Sequence, residues 1–307
     1  MSRVGVILTS YNGSEYIKEQ IVSIVQNKYQ DFHLYIFDDG STDSTLEIAE
    51  MCQRAYPNRM SIYQNPKNLG VVLNFLEAAR RVPERYVMFA DQDDVWFPEK
   101  IGDSVRAMER MTAKYGEEEP ILVFSDAKVT DEKLNVTAES FHKSNHLNLH
   151  HIDLSHLLME NKMMGCTMMM NRPLLNYLVD LPEHAKWHDW WLGLLAADFG
   201  RIGYMHWQTM YYRQHGNNTL GSYTFAGYVK NRLSSLERQK EAIQENYRQA
   251  EELLKKYGAE MPAANRAIVT RFVGMQRQNW FARRVTAVTG GYMKSGLIRN
   301  LGLLLIL

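Results

Sequence analysis

The first half of the chain alternates short apolar runs with stretches of helical spacing. Val4–Leu8 is a continuous apolar run, as in a strand covered on both faces. Ile17, Ile21, Ile24 and Val25 then recur at helical intervals across Tyr16 to Val25. Leu34–Phe37, Ser61–Gln64, Tyr86–Ala90 and Ile121–Ser125 read as four further strands. Between them, Ser44 opens a helix, with Glu47 three residues on in the pattern of a capping box. A helix over Val71 to Arg81 keeps Val72, Phe75, Leu76 and Ala79 on one side. The alternation predicts an α/β fold with a mainly parallel sheet flanked by helices.

The second half is more mixed. Asp153–Asn161 reads as helix, Cys166–Met170 as strand, and Pro173 can open the next helix. Asp189–Phe199 is an apolar helix and Arg201–Tyr204 a short strand. Long helices follow from about Phe225 through Tyr257, and again from Ala263 to about Arg284. The expected division is a catalytic α/β domain over 1–220 and a helical C-terminal extension over 221–307.

Composition narrows the class. With 307 residues, 45% apolar, the chain can bury one large core with a smaller appendage. Zero formal net charge and 23% charged residues argue against a disordered or nucleic-acid-coating chain. Cys52 and Cys166 are too few and too distant for a disulfide framework or a zinc spacing. Val4–Leu8 is too short for a signal peptide, and no segment reaches the ~20 apolar residues of a membrane span. The expected location is the cytoplasm, unless a membrane surface holds the protein. The zero charge also hides an asymmetry. No acidic residue follows Glu260, whereas Arg266, Arg271, Arg277, Arg283, Arg284, Lys294 and Arg299 do, and the chain ends Leu301-Gly-Leu-Leu-Leu-Ile-Leu307. A basic amphipathic segment with an apolar end can lie on an anionic membrane. The alternative is a helical pair packed on the protein or forming a contact in a homo-oligomer.

Polar residues gather where three strands end: Thr9-Ser10-Tyr11-Asn12, Asp38-Asp39-Gly40-Ser41-Thr42-Asp43 and Asp91-Gln92-Asp93-Asp94. In open parallel sheets ligands bind beyond the carboxyl ends of strands, so the three clusters are expected on one edge. Asp91 and Asp93, two apart on an extended segment, point the same way. Two such carboxylates suit Mg²⁺ or Mn²⁺, which also bind phosphate oxygens; the plain alternative is a solvated acidic turn. Asp39 is a candidate for a base or ribose contact, whereas Asp43 suits a turn with Ser44 capping the helix. In Trp187-His188-Asp189-Trp190-Trp191 a carboxylate sits among indoles, either as a strengthened base beside sugar-stacking faces or as a helix cap in an aromatic core. Arg213 could meet a phosphate and His215 a metal, although a single histidine is more often structural.

Taken together, these clusters resemble the family 2 glycosyltransferases, which have the GT-A fold. The resemblance also takes in Asn68-Leu69-Gly70 with Asn74-Phe75, Asp91 to Trp96, His188 to Trp191 and Tyr212 to Asn218, in order over residues 1–220. Within the family, Asp-Gln-Asp-Asp-Val-Trp, His-Asp-Trp-Trp and Tyr-Arg-Gln-His are similar to bacterial rhamnosyltransferases of cell-surface polysaccharide synthesis. The resemblance implies a GT-A mixed sheet and a nucleoside-diphosphate sugar donor held by Thr9, Tyr11, Asn12, Asp39, Asn68, Asp91, Gln92 and Arg213. It implies Mn²⁺ or Mg²⁺ on Asp91, Asp93 and His215, Asp189 as catalytic base, and His188, Trp190 and Trp191 toward the acceptor. It further implies an acceptor saccharide on a polyprenyl diphosphate, and a peripheral place on the inner face of the plasma membrane.

Two departures stand out. His188 replaces an acidic residue that many relatives carry before the base. Gln276-Arg277-Gln278-Asn279-Trp280 is similar to a Gln-x-x-Arg-Trp motif of processive synthases, but Asn279 replaces the arginine and no membrane spans follow. One sugar per encounter is therefore expected. The expected reaction is an inverting displacement, with dTDP-β-L-rhamnose giving an α-linked rhamnoside. UDP-glucose, UDP-galactose or UDP-GlcNAc are the other donors to weigh. A glycoside hydrolase would need two carboxylates but neither nucleotide nor metal. A nucleotidyltransferase would need a Gly-rich loop after the first strand, and a mere sugar-binding module would not need the D-x-D and Asp189 together.

Overall fold

The computed structural model describes residues 3–216 and 236–307. Asn217, Asn218, the expected helix start near Phe225 and the expected boundary at 220 lie outside them. The described chain forms two compact units that are not consecutive stretches. One comprises Met1–Phe141, Met163–Leu181 and Gly200–His215; the other comprises His142–Lys162, Pro182–Phe199 and Gly216–Leu307.

The first unit is a mixed sheet of nine strands flanked by helices. In chain order the strands are β1 (Val4–Ser10), β2 (Phe32–Asp38), β3 (Met60–Gln64), β4 (Tyr86–Ala90), β5 (Val95–Trp96), β6 (Ile121–Thr130), β7 (Val136–Ala138), β8 (Met168–Asn171) and β9 (Arg201–Arg213). They lie in the order β3-β2-β1-β4-β8-β6-β9-β5, with β7 beside β6. The block β3-β2-β1-β4 is parallel, as the alternation predicts. Its connections are α1 (Ile17–Val25), α2 (Thr45–Ala55) and α3 (Val71–Arg81), and α4 (Lys100–Tyr115) follows β5. β1 and β4 are buried along their whole length, which explains their unbroken apolar sequences. The other half is mixed, because β8 runs antiparallel to both β4 and β6, and β9 runs parallel to β6.

Several expectations change in detail. The capping box at Ser44 does not form, since the Ser44 side chain makes no cap bond. Asp43 does that work instead: its Oδ1 accepts from the Thr45 amide at 3.0 Å. Cys166 lies in a 3₁₀ turn, Gly165–Thr167, and the strand begins only at Met168. Pro173 opens a single helical turn, Arg172–Leu175, capped by the Asn171 side chain. The short strand expected at Arg201–Tyr204 runs on to Arg213 with register shifts near Ser125 and Asp126 of its partner.

The second unit is helical: α5 (Leu154–Met159), α6 (His188–Phe199), α7 (Leu236–Tyr257), α8 (Ala263–Gly274), α9 (Trp280–Thr289) and α10 (Leu297–Ile306). The helix expected through Arg284 breaks after α8 at a 3₁₀ turn, and Asn279 caps α9 through its side chain. No helix among the described residues is long and apolar enough to cross a membrane.

Candidate active site

β2, β1 and β4 are parallel neighbours, so the loops that leave their carboxyl ends meet. The Asn12 amide donates to Ser41 Oγ at 2.9 Å, and its side-chain Oδ1 accepts from the Thr42 amide at 2.8 Å. Gln92 clasps the first loop from the other side. Its Oε1 accepts from the Tyr11 amide at 2.9 Å and its Nε2 donates to the Tyr11 carbonyl at 3.1 Å. A Cβ on Gly13 would stand 2.2 Å from Gln92 Oε1, so only glycine lets the clasp close. Thr9 is buried at the end of β1, while the Tyr11 side chain is exposed.

Asp38 and Asp39 hold the second loop rather than facing outward. Asp38 accepts from Ser10 Oγ at 3.0 Å and from the Ser41 amide at 2.9 Å. Asp39 Oδ1 accepts from Asn65 Nδ2 at 2.8 Å and the Leu69 amide at 2.9 Å; its Oδ2 accepts from the Gly70 amide at 2.8 Å. Asn68 Nδ2 donates to the Asp39 carbonyl at 3.1 Å. Gly70 has φ +78°, a left-handed turn that presents two successive amides to one carboxylate. Asp39 therefore latches the Asn68-Leu69-Gly70 turn, with most of its lone pairs already engaged.

The D-x-D loop leads directly into β5, whose pairing with β9 carries it to Arg213 and His215. His215 Nε2 lies 2.8 Å from Asp93 Oδ2. Its ring stacks on Tyr16 at 4.6 Å. Arg213 departs from its expected role as a phosphate contact. Its guanidinium is buried, donates to the carbonyls of Asp93 at 2.8 Å and Glu132 at 2.7 Å, bonds Glu19, and stands over the Tyr16 ring. It braces the loop that carries Asp93, because these bonds engage its fork on the protein. Glu19 and Tyr16 had no sequence signal beyond their place just after Thr9–Asn12.

Asp94 is the acid the sequence passes over. It is fully buried. Oδ1 accepts from the Arg213 amide at 3.2 Å, and the weakly donating Cys166 thiol lies close to the carboxylate. Burial, then the neighbouring Asp93 and Asp91, push its carboxyl well above the usual range. Burial likewise raises the Cys166 thiol, with Asp94 adding to it. Ligand atoms of Asp91, Asp94 and Cys166 lie within 4.8 Å of one another. Below them Lys100 Nζ donates to Thr209 Oγ1 at 2.8 Å, and burial lowers its pKa to about 8.

The donor types present, carboxylate oxygens and an imidazole nitrogen, are those that suit Mg²⁺ or Mn²⁺. His215 Nε2 and Asp93 Oδ2 stand at ordinary hydrogen-bond distance, and the ligand atoms of Asp91 gather with those of Asp94 and Cys166 rather than with this pair. The second D-x-D carboxylate, Asp91, is half-buried beside Asp94.

In the second unit, Asp189 lies in the first turn of α6, where its Oδ1 accepts from the Trp190 amide at 2.6 Å. The acceptor contacts expected of its neighbours are not supported by their placement. Trp191 is wholly enclosed and packs near Tyr257. Trp190 is buried, donates from Nε1 to the Leu157 carbonyl at 2.5 Å, and has Lys186 Nζ over its ring. His188 is buried too, and burial lowers its pKa to about 3, so it is neutral near pH 7. Two of the three are indoles in the densest part of an apolar helix, so core packing, not sugar stacking, explains them. Also in this unit, His151, Asp153 and His156 bring ligand atoms together, with Asp153 capping α5.

Residues 5–115 match the model of the family described as glycosyl transferase family 2. The dTDP-rhamnosyl transferase RfbG of Shigella flexneri is 29% identical over 250 residues, covering 73% of this chain and 80% of RfbG. A putative teichuronic acid biosynthesis glycosyltransferase of Bacillus subtilis, TuaG, is 26% identical over 65% of this chain and 75% of its own length. Among solved structures, Staphylococcus aureus TarS 1-349 superposes with a TM-score of 0.60 at 17% identity, covering 98% of this chain and 77% of TarS. A mannosyltransferase of Pyrobaculum calidifontis, solved with GDP-Man and Mn²⁺, gives 0.55 at 16% identity over 99% of this chain and 79% of that one. These likenesses to solved structures show a shared GT-A fold.

Proposed function

We propose that this chain, a glycosyltransferase carrying a family 2 domain, moves L-rhamnose from dTDP-β-L-rhamnose to a hydroxyl of a saccharide carried on a polyprenyl diphosphate. The observation that carries the donor is the 29% identity to a dTDP-rhamnosyl transferase across 80% of that relative. The loops of Thr9–Asn12, Asp39 with Asn68, and Asp91–Gln92 receive the nucleotide at the carboxyl ends of three neighbouring strands. Asp91, Asp93 and His215 would hold Mn²⁺ or Mg²⁺, which when bound would supply positive charge against the donor diphosphate. Arg213 keeps the Asp93 loop in place. Asp189 is the base, an assignment resting on its His-Asp-Trp-Trp motif and its burial.

In this mechanism Asp189 takes the proton of the acceptor hydroxyl as that oxygen attacks the anomeric carbon. The bond from that carbon to the diphosphate breaks, and dTDP leaves with the electron pair. Attack opposite the leaving group turns the β donor into an α-linked product. The lipid-borne acceptor places the enzyme on the inner face of the plasma membrane, and building cell-surface polysaccharide is its role.

The test is a panel of nucleotide sugars with Mn²⁺, read by release of nucleoside diphosphate. dTDP-rhamnose is expected to give the highest rate, and chelation is expected to abolish it. A clear preference for UDP-glucose, UDP-galactose or UDP-GlcNAc would replace the donor while keeping the reaction. Asp189→Asn is expected to bind donor normally and to lose transfer by about 10²–10⁴-fold; near-normal transfer by a folded variant would remove the base assignment.

A further inference from the structure

The last two helices of the second unit turn apolar faces outward. On α9 Trp280 (66% exposed) and Phe281 (69%) are followed by exposed Val285 and Val288. On α10 Leu297 (76%), Ile298, Leu301 and Leu305 (81%) are exposed in the same way. Phe281, Val285 and Val288 fall at i, i+4 and i+7; Leu297, Leu301 and Leu305 fall at i, i+4 and i+8. Each set therefore forms one stripe along its helix. The opposite faces are the packed ones, through Thr286 and Ala287 on α9 and Leu303 on α10.

These helices are docked firmly. Arg283 donates from Nη1 to the Leu307 carbonyl at 3.0 Å, from Nε to Met275 at 3.0 Å and from Nη2 to Gln276 and Gln278 at 3.1 Å. Arg284 reaches the Leu305 carbonyl at 3.3 Å and lies 3.8 Å from the centre of the Trp280 ring. Between the helices, the Tyr292 hydroxyl donates to the Ile268 carbonyl at 2.7 Å. Ser295 and Arg299 both bind Glu160. The outward stripes thus belong to a held surface, not to frayed ends. Large apolar side chains lined up on the exposed face of a held helix mark an interaction site.

Charge identifies the partner. Residues 261–307 hold six arginines and one lysine and no Asp or Glu. Arg266, Arg271 and Arg277 are exposed. A second copy of this chain, meeting face to face about a two-fold axis, would bring one cation-rich stretch without Asp or Glu against another. An anionic lipid surface instead accepts both the apolar stripes and the arginines. Helices of ten residues are about 15 Å long, half the ~30 Å of a bilayer core, which is too short to span it, whereas a one-sided apolar stripe suits a helix lying in the plane of one leaflet.

We propose that α9 and α10 form a docking surface for the headgroup layer of an anionic membrane, with Phe281, Leu297, Leu301 and Leu305 inserted and the arginines at the phosphates. This surface would bring the enzyme to the lipid-borne acceptor proposed above, and in that purpose alone it rests on that reading. Its test needs neither donor nor acceptor. The full chain is sedimented with vesicles of phosphatidylcholine, with and without phosphatidylglycerol. Binding is expected on the anionic vesicles and little on the neutral ones. A Phe281→Ser, Leu301→Ser, Leu305→Ser variant with an unchanged melting curve is expected to bind roughly tenfold or more weakly, while its donor hydrolysis stays at the parent rate. Should that variant melt early, Phe281→Ser and Leu305→Ser singly are each expected to weaken binding severalfold. No binding by the parent, equal binding to both vesicles, or undiminished binding by the folded variants would overturn the proposal. So would a dimer, seen by light scattering, that the triple variant dissolves, because it would give this face to a second copy.

Discussion

At the scale of single residues, the active-site region and the core use carboxylates in opposite ways. Asp93 is paired with His215, and Asp39 is engaged by an amide side chain and two backbone amides. Asp198, near the C-terminal end of α6, is buried and its carboxylate is poorly satisfied, with the Asn265 side-chain amide nearby, donating to the Asp198 backbone carbonyl at 2.7 Å. Burial pushes its carboxyl up from 3.8 to about 6, with Asn265 partly opposing the shift. The helix end, negative in its own dipole, gives it no help. Since the folded-state value is the higher one, the folded form binds the proton more tightly. The contribution of Asp198 to stability is whole below about pH 4 and is lost as pH rises through about 6. Asp198→Asn is therefore expected to raise unfolding free energy at pH 7 by up to about 3 kcal/mol, and to change it little near pH 4. Denaturant titrations at the two pH values measure both.

At the scale of elements, the loops at the carboxyl ends of β1, β2 and β4 are tied to one another and to the Asn68–Gly70 turn by side-chain hydrogen bonds. Removing the Asp39 carboxylate would leave two backbone amides and the Asn65 side chain without their acceptor. Asp39→Ala is expected to cost about 2 kcal/mol or more, read by chemical denaturation, and to weaken nucleotide binding in a titration with dTDP. This also shows what a sequence can reveal. The helix over Val71–Arg81 and the strand over Tyr86–Ala90 are legible to the residue, because local periodicity and burial agree there. The clustering of Thr9–Asn12, Asp38–Asp43 and Asp91–Asp94 follows from parallel neighbours. The Asp39 latch is not legible, since Asp-Asp-Gly-Ser looks the same whether it faces a ligand or a turn thirty residues on. Nor is the Asp94–Cys166 contact, which depends on β8 entering antiparallel beside β4. α4 escapes notice because it is strongly charged, and β5 because it is two residues long. Trp190 and Trp191 misled for a related reason: an indole's sequence signal is identical in a core and on a sugar platform.

At the scale of the whole molecule, zero net charge describes no part of the surface well. A chain that is neutral in sum but carries seven cations and no Asp or Glu after Glu260 should feel salt at that end. The Debye length falls from about 10 Å at 0.1 M to about 3 Å at 1 M. Sedimentation with anionic vesicles is therefore expected to weaken steadily across that range, with the apolar stripes leaving a residual fraction bound at the top. The order of strands carries a different consequence, one for biosynthesis. β6 pairs with β9 from Ile121 opposite Arg201 to Thr130 opposite Arg213. Between them the ribosome must make β8 and the two excursions, 142–162 and 182–199, that belong to the other unit. At about 5–20 residues per second, β6 waits several seconds for its partner, with one edge taken by β8 and the other open. An open, apolar strand edge invites pairing with a neighbouring chain. A cell that makes this protein on crowded polysomes must shield that edge until residue 213 has emerged, or lose nascent chains to aggregation.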